Sequence, residues 1–171
     1  MDIREQLLKE HSKSNTEEIA NYVNDDSNRF LSLINLFLHD EWIITQRAAW
    51  VISKCVDKFP HLIIPHLEEI IFNLEKANLH VAVKRNTLRV LEKVNIPEKL
   101  CGSIANSCFH FLEDNEPIAV KAFSMTVLAN MLPNYPELAN ELKVILEHQL
   151  PFASPGFRHR ANKVLKQISR L

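Results

Sequence analysis

The segment Asp114-Asn-Glu-Pro-Ile-Ala-Val-Lys-Ala-Phe-Ser-Met-Thr-Val-Leu-Ala-Asn-Met131 begins with turn formers and continues as a helix. Asp114, Asn115 and Pro117 make the turn. Val120, Met125, Val127, Leu128 and Met131 then recur at helical spacing and leave Lys121 and Asn130 for solvent. The chain repeats this segment. A shift of 37 residues back places Lys84 on Lys121, Val90 on Val127, Leu91 on Leu128 and Val94 on Met131. The same shift forward places Arg158, Val164, Leu165 and Ile168 on those positions, and a further step of 38 back from Lys84 reaches Gln46, with Ile52 and Val56 in the apolar columns. The unit occurs four times.

Composition agrees with helices alone. Two glycines in 171 residues are too few for the turns and phosphate loops of a sheet-based enzyme, since an ordinary chain has about 7%. The 46% hydrophobic content is enough for one compact core. Cys55, Cys101 and Cys108 sit among apolar residues without a metal-site spacing, and read as reduced core thiols suited to a reducing cytosol. The N-terminus has no apolar signal core. No apolar run approaches the roughly 20 residues of a membrane span, so the expectation is a cytoplasmic protein with no membrane segment.

In chain order, residues 2 to 10 and 16 to 24 read as two short helices forming a cap (1–25), the second started by Asn15 or Thr16. The repeats follow at about 27–58, 60–95, 97–131 and 136–171, making a single domain over 1–171. Phe59-Pro60, Ile96-Pro97 and Tyr135-Pro136 punctuate them at spacings of 37 and 39, because proline is tolerated in a first helical turn. From Pro60 the pattern Ile63, Ile64, Leu67, Ile70, Ile71, Leu74 predicts one continuous first helix. Helix pairs at this period bury their apolar stripes only by stacking, which makes the fold class all-α, an α-α superhelix of about four pairs plus the cap.

The run Asp114…Val120-Lys121, with Pro117 between and Leu128 beyond, resembles the HEAT repeat, and the chain reads as a HEAT/armadillo-like solenoid. The resemblance covers about residues 27 to 171. Asp40 stands seven before Arg47 as Asp114 stands before Lys121, whereas Asn78 and Pro151 replace the acid before Arg85 and Arg158. The resemblance implies that such acids and bases form a ladder between neighbouring repeats. It also implies that the second helices line a concave side.

No catalytic constellation is present: no catalytic residue, metal ligand set or cofactor is expected. The eight histidines are scattered, and His61 and His66, five apart, do not share a helical face. Trp50 falls in the column of Leu88 and Met125, which predicts a core position. Trp42 falls on His80 under the 38-residue shift, which does not force burial.

Charge is sorted by layer. The four second helices sum to +9, the four first helices to −7 and the N-terminal 25 residues to −3, giving the chain's −1. Arg47, Lys84, Arg85, Arg89, Lys121, Arg158 and Arg160, together with Lys54, Lys93 and Lys163, would make the second-helix surface basic. Opposite charge on adjacent layers could equally pair internally. The primary expectation is a non-enzymatic interaction module holding a protein partner, an acidic segment, on that face. The alternative is nucleic-acid binding, because the chain is also similar in architecture to the HEAT-like DNA alkylation repair glycosylases, with Trp50, Phe123 and Phe157 the only aromatics among the second-helix cations. The last helix, with Val164, Leu165 and Ile168, offers a surface for a homodimer.

Overall fold

The computed structural model describes all residues, Met1–Leu171. The chain is 77% helical with no strand. Ten α-helices follow in order: α1 Ile3–Lys9, α2 Lys13–Val23, α3 Ser27–His39, α4 Trp42–Lys58, α5 Leu67–Asn73, α6 Val81–Leu91, α7 Glu98–Glu113, α8 Ile118–Met131, α9 Leu138–Gln149 and α10 Pro155–Ile168. They form two compact units, Met1–Asn95 and Ile96–Leu171.

In the first unit α2, α4 and α6 pack side by side as one layer, and α3 packs on α4 from the other layer. The apolar face of α3 shows why: Phe30, Leu33, Ile34, Phe37 and Leu38 are all buried. The polar joint of α1 and α2 is satisfied within itself, Gln6 donating to Asn15 Oδ1 at 2.8 Å while Asn15 donates to the Gln6 carbonyl at 2.9 Å. Ser12 rather than Asn15 or Thr16 starts α2, its Oγ accepting the Asn15 N–H at 3.0 Å; Asn15 and Thr16 lie inside the helix, buried. A hydroxyl just before the first turn reaches an otherwise orphan N–H, which is the cap's role.

The single helix expected from Pro60 is split. Pro60–His66 is a 3-10 segment and the α-helix begins only at Leu67. Pro65 is the reason: without an N–H, and with a ring that clashes with the carbonyl four residues back, it bars an α-helix from running through this stretch.

In the second unit α8 packs on both α7 and α10. It is therefore buried on most of its circumference, through Val120, Ser124, Met125, Val127, Leu128, Ala129 and Met131. In α10 only Phe157, Ala161 and Val164 are buried.

Polar contacts within each unit repeat the period. Asn21 with Lys58 and Asp57 with Lys93 are 37 and 36 residues apart. In the second unit Gln149 with Leu112 and Gln167 with Ala129 are 37 and 38 apart. Equivalent positions of successive helix pairs face each other, as stacking requires.

Candidate interaction surface

Helix C-termini leave carbonyl groups without intrahelical partners, and three of the basic residues singled out above are spent on them. Arg47 Nη1 donates to the carbonyls of Leu7 at 2.6 Å and Leu8 at 3.1 Å, at the end of α1. Lys121 Nζ donates to the Leu112 carbonyl at 2.8 Å, which also accepts from Gln149 Nε2 at 2.7 Å. Arg158 donates to the carbonyls of Leu150 and Pro151, both at 3.2 Å. The side chains that the ladder pattern pairs with acids instead close the ends of neighbouring elements. The ladder acids have other partners: Asp40 accepts from Arg4 Nε at 2.8 Å and Nη2 at 3.0 Å, while Asp114 accepts the backbone N–H of Asn115 at 2.9 Å. The Arg4 hydrogen bonds hold the Asp40 carboxyl below its usual range.

Arg160 is also engaged, donating to Thr126 Oγ1 at 2.6 Å with its guanidinium 6.0 Å from the Phe123 ring centroid. Lys84, Arg85 and Arg89 lie together on α6. Lys84 and Arg89 are half-buried and Arg85 is exposed. No carboxylate holds Arg85 or Arg89. Arg85 and Arg89 are one helical turn apart and so share a face, and Val81, 38% exposed, is one turn before them on the same face.

The neighbouring helix α4 carries two tryptophans, one beside the start of α6 and one beside the segment before α2. Trp42, 58% exposed, opens α4 and stacks on His80, ring centroids 5.4 Å apart and planes 26° apart. His80 is fixed in turn, because its Nδ1 accepts the Ala82 N–H at 3.2 Å and so caps α6. Trp50 does not occupy the core position that its column predicts: it is only partly buried, with its ring 5.2 Å from that of His11. The equivalent Leu88 is fully buried, but the segment before α2 covers Trp50 with another ring and leaves it an outer edge. The Trp42 to His80 stack follows from the 38-residue register. The capping role of His80 had no signal in the sequence beyond its place before an apolar run.

Further along, Lys93 pairs with Asp57. No group of three or more His, Cys, Asp or Glu is placed to hold a metal ion. Cys55, Cys101 and Cys108 are buried and unpaired; burial pushes the Cys55 and Cys108 thiols up to about 12, with the Ser124 hydroxyl moderating the second. No helix is long and apolar enough to cross a membrane.

Paired helices, a constant period and a basic residue at the start of each second helix coincide with one family model, that of the HEAT repeat domain, which matches residues 3–168. The chain belongs to the HEAT repeat family. The match begins at Ile3 and so takes the N-terminal helices α1 and α2 into the repeat region, where the resemblance in the sequence had begun near residue 27. No curated protein and no solved structure matches the chain. HEAT repeats generally mediate protein contacts and are typically non-enzymatic, which makes this protein an interaction or scaffold-type module.

Proposed function

We propose that this HEAT repeat protein is a non-enzymatic module that holds an acidic segment of a partner protein on the basic surface of its second-helix layer, with the cap and four pairs acting as one repeat domain in the cytoplasm. The observation that carries the reading is the placement of Arg85 and Arg89 on one face of α6, with no carboxylate partner on the chain. Cations left without internal partners attract acidic ligands and accelerate their encounter. Of the other proposed contact residues, Lys84 belongs to the same helix; Arg47, Lys121, Arg158 and Arg160 are not free donors, since each holds a protein group. The reducing cytoplasm suits three unpaired buried thiols. A homodimer through α10 is part of the same proposal, supported by Leu171 at 62% exposure and by the half-buried Leu165 and Ile168 beside it.

One observation favours nucleic acid as a second reading: Trp42 and Trp50 are surface aromatics on the helix next to the cations, an arrangement on which bases can stack. Fluorescence anisotropy separates the two. Labelled poly-glutamate peptide and labelled single- and double-stranded DNA and RNA would be titrated at low and physiological salt, with wild type and Arg85→Glu/Arg89→Glu. Peptide binding lost in the variant, with no oligonucleotide binding at physiological salt, supports the protein partner. Oligonucleotide binding that persists at physiological salt and is lost in the variant moves the function to nucleic acid.

A further inference from the structure

The α4 and α6 surface is graded rather than uniformly basic. At one end Trp42, His80 and Val81 make an exposed apolar and aromatic cluster; Arg85 and Arg89 follow along α6. With a rise of about 1.5 Å per residue, Val81, Arg85 and Arg89 stand about 6 Å apart along the axis, in a row that winds about 40° round the helix at each step. An extended peptide presents alternate side chains on one face at about 6.6 Å. The two spacings match.

We infer that the acidic segment is an extended strand with an apolar or aromatic anchor residue followed at every second position by a carboxylate, in the pattern anchor-x-acid-x-acid. This rests on the proposed function above and names its ligand more closely. The anchor packs against the Trp42 ring, which is held flat by its stack on His80, and against the Val81 methyls. The two carboxylates meet the Arg85 and Arg89 guanidinium groups, whose fork geometry suits them. Helices packed 8–10 Å apart leave a furrow narrower than the 10–12 Å diameter of a helix with its side chains, so an extended chain fits where a helical ligand would ride above it. Because the apolar cluster lies at one end of the row, it sets the register of the acids. A polyanion with no anchor would slide.

The test is a selection of displayed random dodecapeptides on the full chain, repeated with Trp42→Ala, Val81→Ser and Arg85→Glu/Arg89→Glu, each checked for an unchanged far-UV spectrum and melting curve. The wild type is expected to enrich Leu, Phe or Trp two and four residues from Asp or Glu. Trp42→Ala is expected to weaken the best anchored peptide about tenfold while leaving an acidic peptide without anchor unaffected. The Val81→Ser selection is expected to lose anchor preference in the same way, and the charge reversal to lose both peptides. Enrichment of acids with no fixed anchor spacing, acids at every fourth position, or an anchor preference that survives in Trp42→Ala would overturn the inference and leave the acidic-segment reading standing. Selection of peptides without acids, or oligo(dT) binding tighter than every selected peptide, would overturn both.

Discussion

Arg47, Arg85, Lys121 and Arg158 each stand seven residues after the place of the ladder acid, yet they do different work. Arg47, Lys121 and Arg158 close helix ends and Arg85 faces solvent. Lys121→Met would withdraw a charged donor from the partly buried Leu112 carbonyl, leaving Gln149 as its remaining partner. We expect a loss of about 1–3 kcal/mol in urea denaturation, whereas Arg85→Ala should stay within about 0.5 kcal/mol, as surface substitutions do. Asp40 gives a pH signature. Its carboxyl is held low in the folded state chiefly by the Arg4 hydrogen bonds, so the unfolded chain binds its proton first as pH falls. The stability from this pair is fully present above about pH 4, the ordinary aspartate range, and is lost as pH falls through the depressed folded value. The difference in urea midpoint between wild type and Arg4→Ala should therefore be constant from pH 6 to 5 and shrink toward pH 2. The Cys55 and Cys108 thiols, buried and pushed up to about 12, should stay unmodified by iodoacetamide at pH 8 until denaturant is added, as mass spectrometry would show.

Within single helices, starts were more legible than continuity. Pro97 and Pro136 stand just before α7 and α9 as their spacing predicts, because a missing N–H has a local cost that no neighbour changes. The break at Pro65 was written in the same residue type, but the apolar period of Ile63 to Leu74 overshadowed it. Caps show how much a helix start contributes. Asp26 accepts from the backbone N–H groups of Asn28 at 2.9 Å and Arg29 at 3.0 Å at the head of α3. Asp26→Ala should cost about 1 kcal/mol by thermal or urea unfolding, and Asp26→Asn much less.

Across the array, stability should be uneven, because each repeat leans on its neighbours. In amide hydrogen exchange α4, with nine buried residues, is expected to exchange last in its unit, and α7 and α8, with eight and seven, last in theirs. The short α1, with three buried residues, and α9, with two, are expected to exchange first. Equal protection in α8 and α9 would contradict this picture. The period, the all-helical class and the repeat family were readable because apolar spacing and proline placement act over a few residues and recur. The site was readable only as a pool of cations. Which of them face a ligand depends on contacts one repeat away: Arg47 meets the end of α1 40 residues earlier, Trp42 stacks on a histidine 38 residues later, and His11 covers the Trp50 ring that its column placed in the core. The local pattern sets which side of a helix carries charge; what lies across from that side after packing decides whether the charge closes a helix end or remains for a partner.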